Sequence, residues 1–147
     1  VTAWEGFREG LAEQLASLAT GSVLIIREGG RTGRYAQFAQ SDEVLRAELT
    51  GDHGLDPALR AGETGGRLIA EAGWEPPQGT VYGHNWQAGL PWPSPANTYR
   101  ELARMTVTGL RDGFRIVSPR TLVYEAWDER RGNRPLVLPL LGLDQTS

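Results

Sequence analysis

The sequence predicts an α+β fold: an antiparallel sheet of about five strands with helices packed on one face, in the order α-β-β-β-α-β-α-β. Three observations carry this. Apolar residues recur at three- and four-residue steps near the start and again past the middle of the chain, as in amphipathic helices. Shorter runs alternate apolar with polar residues, as a sheet with one buried and one wet face requires. Three such runs follow one another between helices, which favours a sheet of strands framed by helices. At 147 residues the chain fits one domain, residues 1–147, and a domain of that length buries roughly 70% of its unfolded surface.

The elements follow in order. Trp4, Phe7, Leu11, Leu15 and Leu18 form one face of a helix over about residues 3–19, ended by Thr20-Gly21. "SVLII" (22–26) is β-branched and continuous, as in a strand covered on both faces. "GGRTG" is a hairpin turn. "RYAQFAQ" (34–40) sets Tyr35, Gln37 and Ala39 on one face, with Ala36 and Phe38 on the other. "VLRAEL" (44–49) alternates in the same way. A turn-rich connection covers residues 50–66, in which "GETGGR" reads as a hinge. Leu68, Ile69 and Ala72 then mark a short second helix closed by Gly73. "TVYGHNWQ" (80–87) reads as the fourth strand and "AGLPWPSP" as a stiff lead into a helix over about 96–112. Ser94 is that helix's candidate cap, Pro95 its first residue and Gly113 its end. "TLVYEAW" (121–127) is the fifth strand, and "LVLPLLGL" is an apolar tail that needs a cover.

Composition narrows the function. All fifteen basic residues are arginine, so a Schiff-base lysine and a phosphate-loop lysine are excluded from this chain. With no cysteine there is no disulfide, thiolate nucleophile or cysteine-ligated zinc. A net charge of −3 argues against a dedicated nucleic-acid binder. The longest apolar run, "VLII", is far short of a membrane span. No signal peptide is visible, so cytoplasmic residence is the default expectation.

Two kinds of site are suggested. His84 with Asn85 could serve a small-molecule hydrolase or ligand-binding enzyme, given a nucleophile and an orienting group within reach. No Gly-x-Ser-x-Gly elbow supplies that nucleophile. A metal would need His53 and His84 to meet, joined by carboxylates such as Asp52 or Asp56, and the spacing matches no ligand pattern. Neither a metal nor a cofactor is expected. The aromatic inventory says more: Trp74, Trp86, Trp92 and Trp127 lie in or beside predicted strands and loops, where half-buried indoles can anchor a partner.

Taken together, "W..F...L...L" in the first helix, "GRYAQFAQ.....LRAEL", "AGWEPP", "NW" and "LVYEAW…LPLLGL" resemble an actinobacterial family of chaperone-like domains of the TY-Chap type, related to YbjN proteins and type III secretion chaperones. The likeness runs from Trp4 to Leu143. It implies a compact, commonly dimeric α+β domain that binds peptide segments of a client protein, does no chemistry, and serves secretion or inter-bacterial conflict systems. Tyr35, Phe38, Trp86, Tyr124 and Trp127 are the matching positions that would line a peptide groove, with Trp92 as a further anchor. An immunity-like protein that blocks a toxin would share the same binding physics.

Overall fold

The computed structural model describes residues 2–79 and 83–146, and the α+β class is as expected. The chain forms α1 (Ala3–Ser17), β1 (Ser22–Glu28), β2 (Tyr35–Gln40), β3 (Val44–Leu49), α2 (Gly62–Ala72), β4 (Trp86–Pro91), α3 (Ala96–Val107), β5 (Leu122–Asp128), β6 (Arg134–Pro135) and β7 (Asp144–Gln145). The sheet order is β4-β3-β2-β1-β5-β6; β7 pairs with β5 in parallel and every other ladder is antiparallel. The five longer strands come in the expected order, the fourth displaced along the chain, and the tail adds two short ones.

The helices lie on one face. Leu24, Ile26, Ala36, Phe38, Leu45, Ala47, Leu49, Tyr124 and Ala126 point into a core shared with Phe7, Leu11, Leu15, Ile69, Leu102 and Leu110. A capping box starts α1: the Thr2 hydroxyl accepts from the Glu5 amide at 3.1 Å, and the Glu5 carboxylate accepts from the Thr2 amide. The helix stops at Ser17, and Gly21, at φ 94°, belongs to the turn into β1.

The second helix begins earlier than expected. "GETGGR" is its first half, not a hinge, because the Asp52 carboxylate accepts from the amides of Ala61 and Gly62 at 2.7 and 2.9 Å. That cap comes from a residue distant in sequence, so no local signal announces it. Gly65 is there for packing: a Cβ on it would overlap the Gly113 carbonyl oxygen. Gly113 itself does not cap α3. The helix passes into a π turn over Thr108–Gly113, in which the Phe114 amide reaches the Gly109 carbonyl at 2.9 Å.

The fourth strand is shifted along the chain. It runs from Trp86 to Pro91, through residues expected to be a lead-in, while residues 80–82 of the expected strand lie outside the described residues. Gly89 and Pro91 are tolerated because β4 is an edge strand. Pro95 takes the cap position of α3, and Ser94 makes no bond to that helix; its hydroxyl donates to the Pro91 carbonyl instead. The apolar tail finds its cover, with Leu138 and Leu141 buried beside α1 and the Leu140 amide donating to Gln14 Oε1 at 2.9 Å.

Candidate functional site

Among the described residues, no layer of secondary structure lies over the sheet face away from the helices. Strand alternation places Tyr35, Gln37 and Ala39 of β2 there, with Ile25 and Arg27 of β1, Arg46 and Glu48 of β3, Gln87 of β4, and Val123, Glu125 and Trp127 of β5. Register lines them up across strands. Gln87, Glu48, Gln37, Ile25 and Glu125 make one row; Tyr35, Arg27 and Val123 make a second; Ala39, Val23, Trp127 and Pro135 make a third. The face is a mixed surface of amides, charges and scattered apolar groups. On β1 this face is buried at Val23 and only half-buried at Ile25 and Arg27, so the apolar run is covered on both sides at its start and on one side farther along.

Of the six predicted contact residues, only Tyr35 and Trp127 share this face. Phe38 and Tyr124 are corrections: they are 0% and 2% exposed, inside the core beneath the helices. The reason is the two-residue period of a strand, since positions three apart, such as Tyr35 and Phe38 or Tyr124 and Trp127, point to opposite sides. Trp86 also faces the helices, as the cross-strand neighbour of Leu49, and packs half-buried against the core. Trp92 stands beyond β4, 36% exposed, its amide bonded to the Glu43 carbonyl at 2.9 Å. Ile25, Arg27, Gln37, Val123 and Glu125 were missed. Gln37 shares strand parity with Tyr35, and Val123 and Glu125 with Trp127, which is a signal the sequence carries; Ile25 and Arg27 are placed only by the register of β1 against β2 and β5.

His84 and Asn85 have different tasks. Asn85 Oδ1 accepts from the Gly51 amide at 3.0 Å, and Asn85 Nδ2 donates to the Tyr35 hydroxyl at 2.8 Å and Glu48 Oε1 at 3.4 Å. Gln87 Nε2 donates to the same Glu48 oxygen at 3.1 Å. This network pins one corner of the open face. His84 meets His53, but flat: the rings stack with centroids 3.8 Å apart and planes at 6°. Parallel rings do not converge their nitrogens on one ion, and both oxygens of Asp52 are already committed to α2. Among the described residues, no group of three metal-ligating side chains comes together. Among the described residues, no hydrogen bond to either imidazole is formed.

Two concavities mark the open side. One, of 410 Å³ at the β1–β2 hairpin, is lined by Ile25, Arg27, Arg31, Tyr35 and Gln37 together with the paired Glu28 and Arg34. The other, of 830 Å³, is lined by Glu125, Trp127, Glu129, Pro135 and Val137; Val137 is 71% exposed. A third hollow, of 520 Å³, separates α1 from α3, with Arg8, Ala12, Ala16, Arg100, Glu101 and Arg104 around it. Its charges are partly self-satisfied: Arg104 hydrogen-bonds Glu101 and holds that carboxyl below the usual carboxylate range.

The sheet edges are partly occupied, β4 by a single bridge at Gln87 and β5 by two short strands. On β4 the amide and carbonyl of Gln87 are taken by Glu75 at 3.1 and 2.9 Å, and Pro91 has no amide to offer. On β5 the outer edge is covered by β6 and β7, with the Leu136 amide on the Ala126 carbonyl at 2.9 Å and the Thr146 amide on the Tyr124 carbonyl at 2.7 Å. A client strand therefore finds little edge to join and one broad face to lie on.

No curated protein and no solved structure matches the chain. A family model does, over residues 1–128, which takes in every element through β5 and leaves the strapping tail outside. The chain belongs to that family, TY-Chap3, the T3SS (YopN, CesT) and YbjN peptide-binding chaperone 3.

Proposed function

We propose that the chain is a non-enzymatic chaperone or adaptor that holds an extended segment of a client protein across the open sheet face, between the Tyr35 corner and Trp127. Family membership supports a peptide client. The observation that carries the choice of surface is the pairing of an open face bearing Tyr35, Ile25, Val123 and Trp127 with two edges that are short or partly bridged. Half-buried aromatics among polar groups give a client apolar area to cover without making the free protein insoluble. The setting we propose is a secretion or inter-bacterial conflict system, with the chain working as a homodimer that offers two such faces; light scattering reads the second point.

The test uses short random peptides selected on the whole chain, followed by photocrosslinking. Benzoylphenylalanine at Gln37 captures bound peptide, the same probe at Arg100 in the helix groove does not, and Trp127→Ala weakens binding about 10-fold or more, as truncating an aromatic anchor does. Capture at Arg100 alone, or unchanged affinity in Trp127→Ala, refutes the reading.

A further inference from the structure

We infer that the hairpin end of the open face is a carboxylate subsite, formed by Arg27, Arg31 and Tyr35, that selects client segments carrying an acidic side chain. This rests on the sheet face being the client surface and adds what the client must present.

The argument begins with where the hairpin's one acid goes. Glu28 is the sole carboxylate between residues 28 and 34, and Arg34 takes both of its oxygens at 2.8 Å on the helix side of the sheet. Arg27, on the open face of β1, and Arg31, in the turn, have no carboxylate partner among the described residues. Among the described residues, the polar side chain that reaches Arg27 is Thr146, whose Oγ1 accepts at 3.4 Å. Both arginines line the 410 Å³ concavity with Tyr35 and Gln37; Glu28 and Arg34 line it too, but that carboxylate is already neutralised by the Arg34 fork. The Tyr35 oxygen already accepts from Asn85 at 2.8 Å, which leaves its proton free to donate outward. The concavity is thus rich in donors within a chain of net charge −3. A carboxylate is the group that two guanidinium forks and a phenol satisfy together.

An acidic peptide fits better than a phosphate polymer, because the donors do not continue along the face. Past Arg27 the rows carry Ile25, Val123 and Trp127, with Glu125 and Glu129 around the indole. Those carboxylates repel a polyanion and suit one isolated negative charge followed by apolar residues. Spacing follows from the register. Arg27 and Trp127 lie four positions apart along neighbouring strands. At about 3.3 Å per residue and about 4.8 Å per strand that is about 14 Å, or about four residues of extended peptide.

The experiment is peptide selection on the full chain carrying Arg27→Glu and Arg31→Glu, with Arg27→Gln/Arg31→Gln as the milder pair. Arg27 lies on the open face and Arg31 in the turn, so melting temperature and circular dichroism serve as folding controls. Wild-type selections should be enriched in Asp or Glu about four positions from an aromatic or branched residue. The glutamine pair should bind such peptides about 10-fold more weakly, in line with the loss of charge-assisted hydrogen bonds. The glutamate pair should turn the preference to Arg or Lys. Unchanged acidic enrichment in the glutamate pair overturns the subsite. So does tighter binding of inorganic polyphosphate than of any acidic peptide. Peptides that still crosslink at residue 37 but show no charge preference sink the subsite and leave the face standing; no capture at residue 37 in the wild type removes the face itself.

Discussion

Arg34→Met tests whether the hairpin under the proposed subsite is held by one buried ion pair. Arg34 and Glu28 have side chains only 10% and 14% exposed. The guanidinium donates twice to Glu28, to the Phe114 carbonyl at 2.9 Å and to the Leu59 carbonyl at 3.4 Å, and it lies over the Phe114 ring. Methionine fills much of the space but donates nothing. It strands a carboxylate with little access to water, together with a buried carbonyl. Removing one partner of such a pair costs about 3–5 kcal/mol, and the residual water at Glu28 places the expectation near the lower end, about 3 kcal/mol. Against a total stability of about 5–15 kcal/mol that is a large fraction, and at about 3 °C per kcal/mol it lowers the melting temperature by about 9 °C. Urea unfolding followed by circular dichroism should show a lower midpoint at unchanged slope. The double variant Arg34→Met/Glu28→Met removes the stranded charge and should recover to within about 1–2 kcal/mol of the wild type. A loss under about 1 kcal/mol in the single variant, or a double variant no more stable than the single, refutes the assignment of the pair as the hairpin's anchor.

Two further perturbations probe the corner and the tail. A Cβ at Gly51 would overlap the His84 carbonyl oxygen and sit 3.0 Å from its carbon, so Gly51→Ala should cost about 2–3 kcal/mol and dissolve both the histidine stack and the Asn85–Tyr35 bond; histidine ring resonances unchanged by NMR count against this. Tyr124→Phe removes the hydroxyl that accepts from the Leu138 amide at 2.9 Å and donates to Gln145 at 3.3 Å. It should cost about 1–2 kcal/mol and make residues 134–146 the first site of limited proteolysis. Cleavage no faster than in the wild type would mean that Leu138 and Leu141 hold the tail unaided.

Periodicity and composition were enough, taken alone, to set the class of fold, the order of elements through β5, and the absence of lysine and cysteine chemistry. The inward side of a helix or strand is written in residue spacing, so Phe7, Leu11 and Leu15, or Leu45, Ala47 and Leu49, could be assigned to a common face before any contact was known. The same two-residue period could have kept Tyr35 apart from Phe38 and Trp127 from Tyr124. What it could not say is which face another layer covers, because covering is a relation between distant segments. Tertiary structure alone decided the rest: that Asp52 starts α2, that Gly89 and Pro91 sit on an edge, that residues 134–146 close the outer side of β5, and that His84 lies flat on His53. Each depends on groups far apart in the chain meeting in space. So does the pairing of Arg34 with Glu28 under the hairpin, which leaves Arg27 and Arg31 without a carboxylate among the described residues.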